Sequence, residues 1–209
     1  MKGKIFNAQE VQAILNGSKV MFREVIKPYP HLKNEAISSV CFLEKQSVAR
    51  FNFYSEKSEE TIISFKSPYQ VGQKIFCKES FWQFGGYDGG SDGDEARFIG
   101  SNKITFCPEE AAKTQTLCKA WKRRPAQHMK QEHSRLFPRI KSVKVERLQD
   151  ISEGDAVKEG FLNDNFGDRA EQPPSMKFRD YWNATHKKPK EKFEANPWVW
   201  VVNFEVVKN

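Results

Sequence analysis

The stretch Asn16-Gly17-Ser18-Lys19-Val20-Met21-Phe22-Arg23-Glu24-Val25-Ile26-Lys27-Pro28 places Lys19, Arg23 and Lys27 at four-residue intervals between an amphipathic segment and a proline. Cations in this arrangement are candidates for binding an anion such as a phosphate. A lysine desolvated in a cleft can also act as a general base or activate a nucleophile. The competing reading of any single lysine is a solvated turn residue, the ordinary environment of that side chain.

A second candidate surface lies further on. From Lys119 to Arg147 there are ten Lys and Arg against Glu132 and Glu146, a local charge of +8 in a chain whose net charge is +7. Arg123, Arg124, Arg135 and Arg139 offer guanidinium forks for phosphates, with Trp121 and Phe137 as rings and His128 and His133 able to stack or titrate. Cations interleaved with aromatics are what single-stranded nucleic-acid grooves use. Cys107, Cys118, His128 and His133 share zinc-like spacing only in the histidines, the cysteines standing too far apart, so no metal is expected and no cofactor is implied.

These residues need elements to hold them. Asn7 and Glu10 form a predicted capping box ahead of a helix over Ala8 to Leu15, which Asn16-Gly17 stops. Lys19 to Ile26 then reads as an extended segment ending at Pro28, so Lys19, Arg23 and Lys27 are expected on one sheet face. Ile37 to Leu43, Ser47 to Tyr54, Thr61 to Phe65 and Lys74 to Trp82 read as strands, and Phe84 to Gly100, rich in Gly and Asp, as a mobile loop. A strand at Lys103 to Phe106, a helix over Pro108 to Ala120 and a strand with an irregularity over Arg139 to Leu148 follow. Ser152 caps a short helix, Phe178 to Thr185 is helical, Lys187 to Lys192 is a solvated basic loop, and Trp198 to Val207 is a strongly apolar strand.

With 209 residues, 38% hydrophobic and 29% charged, the chain is globular rather than disordered. No run approaches the roughly 20 apolar residues of a membrane helix, and four sparse cysteines do not make a secreted framework. The expectation is a cytoplasmic protein with no membrane partner. The element order predicts an α+β fold on a small, mostly antiparallel barrel, one domain over 1–209 with a loop-rich insertion at about 83–135.

Several blocks together resemble a known family. They are Ile14 to Lys19 with Arg23 to Pro28, Val71 to Phe81, Trp121 with His128-Met129, Val143 to Gly160, Phe178 to Trp182, and Ala195 to Val202. In this order they resemble the ASCH family of the PUA-like superfamily, in particular its phage and prophage members. The resemblance implies a PUA-like β-barrel with flanking short helices and a cleft lined by the Gly17/Lys19 turn. It also implies association with RNA or modified nucleosides, and a host cytoplasm if the chain is phage-encoded.

Some relatives resemble amidohydrolases that deacylate the exocyclic amine of cytidine, using Lys, a Thr three residues on, and a distant Glu. Lys19 and Glu159 fall at the Lys and Glu positions, but the Thr position is Phe22, which has no hydroxyl to attack a carbonyl or orient a water. Phe22 could instead stack a base, and Arg23 with Glu24 could form an ion pair across the cleft. The first expectation is therefore a module binding RNA, other single-stranded nucleic acid or a nucleotide through Lys19, Arg23, Lys27, Arg123, Arg124, Arg135 and Arg139. The alternatives are a nucleoside or RNA hydrolase with Lys19 and Glu159 as its catalytic acid-base pair, and a phage protein that blocks an acidic host protein.

Overall fold

Asn7 and Glu10 cap each other reciprocally: the Glu10 carboxylate accepts from the Asn7 N–H and the Asn7 side chain from the Glu10 N–H, both at 2.9 Å. The box fixes the start of helix α1, Ala8–Leu15. In the computed structural model the backbone is described for residues 1–27, 37–45, 48–55, 61–88, 97–112, 119–162 and 172–206, with side chains for these outside 37–45, 48–55 and 61–65. Cys41 and Cys118 and the segments 89–96 and 113–118 thus lie outside the described side chains.

The chain divides into two compact units, one of Met1–Gln12 with Ile75–Phe137, the other of Ala13–Lys74 with Pro138–Asn209. In the first, β1 (Lys2–Ile5) pairs in parallel with β6 (Ile75–Lys78), Lys2 opposite Ile75. Strands β7 (Phe81–Asp88), β8 (Arg97–Thr105) and β9 (Lys119–Arg124) form an antiparallel sheet with β7 in the middle. Short helix α2, Pro108–Ala112, buries Ala111. Ile75, Cys77, Phe81, Met129 and Leu136 are buried here, and burial pushes the Cys77 thiol up to about 12.

The second unit is built on β2 (Met21–Val25), β10 (Pro138–Arg147) and β11 (Trp198–Val206), all antiparallel with β11 in the middle. A second sheet, β3 (Ile37–Lys45), β4 (Val48–Ser55) and β5 (Thr61–Lys66), is the pair of hairpins that three short apolar runs predict. β2 and β11 are largely buried on both faces. Met21, Val25, Val199 and Val201 pack with Phe178 and Trp182 of α4 (Pro174–Thr185) and Ala156 of α3 (Glu153–Lys158). On the other face Phe22 lies edge-on to Tyr69, ring centres 5.2 Å apart, and 6.0 Å from Phe204.

The class is α+β and mostly antiparallel, but the sheets are open where the sequence predicts a closed barrel. β2 and β10 flank β11 and extend outward, among the described residues, only in isolated bridges, Lys19–Glu159 and Lys74–Arg139. The irregularity expected in β10 is a register shift between Ile140 and Ser142.

Other expectations are corrected. The single strand over Lys74 to Trp82 breaks between Lys78 and Phe81. Much of the Gly-rich stretch expected as a loop is hairpin instead. Gly85 pairs with Gly100, where a Cβ on the first would collide with the Ile99 carbonyl and one on the second with the Gln83 amide. The glycines there admit a close strand approach rather than looseness. The helix from Pro108 is described as far as Ala112, residues 113–118 lie outside the described residues, and Lys119 onward is strand rather than helix, because Trp121 gains a cross-strand partner in Phe84 that a helix would not give it. Among the described residues no helix is long and apolar enough to cross a membrane.

Candidate functional site

Gly17 takes φ +81° and donates its N–H to the Ile14 carbonyl, ending α1. The Asn16 side chain accepts from the Ser18 N–H at 3.0 Å and the Ser18 hydroxyl at 2.7 Å, tightening the turn. The Lys19 N–H then donates to the Ala13 carbonyl at 2.9 Å, which aims the lysine at the end of α3. That end is fixed from its own sequence: the Ser152 hydroxyl accepts from the Asp155 N–H at 3.1 Å, the Glu159 N–H donates to the Asp155 carbonyl at 2.9 Å, and Gly160 turns the chain away at φ +97°.

Lys19 and Glu159 meet inside the second unit. Lys19 Nζ donates to Glu159 Oε2 at 2.8 Å and to the Glu159 carbonyl at 3.0 Å. Arg23, two pleats along β2, donates from Nη1 to Glu159 Oε1 at 3.1 Å and from Nη2 to Glu146 and Asp155, each at 3.3 Å. Its guanidinium sits 5.8 Å from the centre of the Phe178 ring. The two oxygens of Glu159 are thus divided between two cations. Lys19, Arg23 and Glu159 are 2%, 6% and 5% exposed, so all three charges are held almost wholly out of water.

Nearer solvent, Lys144 contacts Glu146 and lies 3.8 Å from Asp155, and Lys158 reaches Asp155 at 3.3 Å. Burial pushes the Asp155 carboxyl up, but Lys144, the Lys158 hydrogen bond and Arg23 outweigh it and hold the group below the usual aspartate range. Among the described residues four cations therefore share these three carboxylates. Desolvating such a group is costly, and it persists because every charge has a partner.

Sequence reasoning did not name Lys144, Glu146 or Asp155 as site residues. The signal for the first two was present in the strand period. Lys144 and Glu146, two apart on β10, share a face with opposite signs. Asp155 was legible only as the capping-box position three residues after Ser152, since the turn of its side chain toward Arg23 depends on tertiary packing.

The other predicted residues are distributed differently from expectation. Lys27 does not join Lys19 and Arg23; it is exposed and paired with Glu191 at 2.9 Å. Glu191, expected in a solvated loop, is buried. Arg23 and Glu24 do not pair, because successive strand residues point to opposite faces; Glu24 accepts from the Tyr69 hydroxyl at 2.6 Å, which with burial raises the Tyr69 pKa. Phe22 is buried against Tyr69 and Phe204 and has no ring face for a base.

In the first unit Arg135 is tied to Glu79 by two 2.8 Å bonds and lies 4.4 Å above the Phe106 ring, so its charge is already matched. Arg124 is half-buried, its Nε without a partner among the described residues. Arg123 is exposed on β9, and Arg139 is exposed on β10 of the second unit.

No family model, curated protein or solved structure matches this chain. The geometry carries the functional argument by itself. Chemically, Lys19 and Glu159 are a preformed ammonium–carboxylate pair that could pass a proton, with Arg23 holding the carboxylate in place. The missing component is a nucleophile: the side chain three residues after Lys19 faces the opposite side of β2. Among the described residues no cluster of three metal-ligating side chains occurs.

Proposed function

We propose that this chain is an ASCH-type module that binds single-stranded nucleic acid, with RNA or a nucleotide as ligand. The observation that supports it most directly is a contrast in charge pairing. Lys19, Arg23, Lys27 and Arg135 are matched by carboxylates, whereas Lys103, Lys122 and Arg123 are exposed on β8 and β9 with no carboxylate partner among the described residues. Unmatched cations on a rigid sheet are what a phosphate backbone neutralises with release of its counterions. The binding surface in this reading is the sheet of the first unit, while Lys19 and Arg23 hold the second unit together.

Oligonucleotide retention at increasing salt tests this. Affinity is expected to fall linearly on a log–log plot, and Arg123→Ala to reduce the slope by about 1 without changing base preference. Failure of the full chain to retain any oligonucleotide at low salt, with capture of an acidic protein instead, would overturn the reading.

A second reading, hydrolysis of a nucleoside or RNA, is favoured by the 2.8 Å Lys19–Glu159 contact. Water would take the place of the absent Thr, Glu159 accepting its proton. Turnover of an N-acylated cytidine or of RNA, lost in both Lys19→Ala and Glu159→Gln while the fold is retained, is the result this reading requires; no turnover by the intact chain removes it.

A further inference from the structure

One face of the first unit's sheet alternates rings and cations. On β7, Trp82 and Phe84 share a face. Opposite them on β9 stand Arg123 and Trp121, with Arg123 paired to Trp82 and Trp121 to Phe84. The Phe84 and Trp121 rings are 5.3 Å apart. Lys103 of β8 reaches over both, its Nζ 5.5 Å from one ring centre and 5.6 Å from the other. Helix α2 packs against β7, β8 and β9, and its Glu110 carboxylate accepts at 2.6 Å from the hydroxyl of Thr105, the residue opposite Trp82. Trp121 is buried, while Trp82 and Phe84 keep part of their surface in solvent.

From this juxtaposition we infer that the Trp82–Phe84 face is a stacking platform for the unpaired bases of a single-stranded polynucleotide, with Arg123 and Lys103 taking its phosphates. The inference rests on the nucleic-acid reading above and adds to it the rings that meet the bases. Half-exposed aromatics two residues apart on a strand present neighbouring flat surfaces, and every base has a π-face to lay on them. Cations beside the rings can take the backbone that joins the stacked bases.

Two other cations of this unit sit on rings, Arg135 over Phe106 with a carboxylate as well and Lys122 over Phe98; Lys103 has no carboxylate among the described residues and is the one that lies over the Phe84–Trp121 pair. It occupies the place of a base. A phosphate offers it the missing counter-charge, and its departure from the rings uncovers them. Paired bases are already stacked in a duplex and cannot enter, so the platform selects single strands. It reads rings and phosphates, which RNA and DNA share.

The test uses the full chain and fluorescently labelled strands of about 12 nucleotides, within the usual span of such sites, as oligouridine, oligodeoxythymidine and an RNA duplex. Both single strands are expected to bind more tightly than the duplex and to quench tryptophan emission. Trp82→Leu and Phe84→Leu, which keep apolar volume but remove the ring, are each expected to weaken single-strand binding by about 10-fold. Circular dichroism checks their folding, and if either fails to fold, the exposed Lys103→Glu decides, with a loss of at least about 10-fold expected on removing a phosphate contact and reversing its charge. The platform is overturned if the duplex binds as well as the single strands. It is equally overturned if binding survives in the folded leucine variants or, where those fail, in Lys103→Glu. Binding lost in Arg123→Glu but kept in the leucine variants leaves the nucleic-acid reading standing and removes this one. No binding by the intact chain removes both.

Discussion

Lys19 and Glu159 are 140 residues apart in sequence and 2.8 Å apart in the fold, joined where α1 hands the chain to β2 and where α3 ends. Their contact is the centre of a cluster in which Glu159 serves two cations at once.

Glu159→Gln keeps the shape and removes the charge, leaving Lys19 and Arg23 buried against a neutral amide. A loss of about 3–5 kcal/mol is expected, because an uncompensated buried cation is worse than no ion pair. Urea denaturation measures it. Adding Lys19→Met should recover part of the loss, and a double-mutant cycle should show coupling between the two positions.

Acid should weaken the second unit through Asp155. Its folded carboxyl lies below the ordinary aspartate value, near 3.9 in an unfolded chain by general reference. The unfolded state therefore binds the proton more readily. The stabilisation is fully present above about pH 5 and is lost as pH falls through the unfolded value toward the folded one. Asp155→Asn should be less stable than the native chain at pH 7 and show a shallower decline in urea midpoint between about pH 5 and 2.5. Equal slopes would show that Asp155 is not the group responsible.

Phe22→Thr would restore the hydroxyl of the amidohydrolase-like pattern, yet no hydrolysis should appear. The side chain faces Tyr69 and Phe204, away from Lys19 and Glu159. The expected result is a cavity and a buried hydroxyl, costing about 3 kcal/mol or more. Any gain of turnover on an N-acylated cytidine would contradict this placement.

Two glycines with similar backbone angles should respond differently to alanine. Both Gly17 and Gly160 have φ in the left-handed region, so both substitutions strain the backbone by about 1 kcal/mol. A Cβ at Gly17 meets nothing within 4 Å, whereas at Gly160 it lies 3.3 Å from Ala13 Cβ and 3.4 Å from Lys19 Cβ. Gly160→Ala should therefore be the more destabilising of the two in thermal melts, and equal melting temperatures would count against tight packing at the Lys19 turn.

Much of the local structure was legible in the sequence. The Asn7/Glu10 box, the Gly17 stop, the Ser152 cap and the β10 irregularity all rest on contacts within a few residues, where the physics is local. The faces of β2 were less so. Strand period separates Met21, Arg23 and Val25 from Phe22, Glu24 and Ile26, but both sets are largely apolar and both are packed, so periodicity cannot tell which side holds the ionic cluster. Lys27 was misplaced for a related reason: extending the alternation beyond Val25 assumes a strand that has already ended. The hairpin of β7 and β8 was hidden by its glycines, whose role depends on what the opposite strand presents.

The order of strands in the second unit bears on how the protein is made. β11, the middle strand of its sheet, follows both β2 and β10 in the chain, and among the described residues β2 has no other neighbour in that sheet. A nascent chain leaving the ribosome carries β2 without its β11 partner until residues 198–206 have emerged, with Lys19 and Arg23 still hydrated. Those two cations give up their water only after residues 138–206 are released. Chain termination upstream of Trp198 would leave β2 as an open apolar edge, the kind of intermediate that chaperones hold and proteases clear.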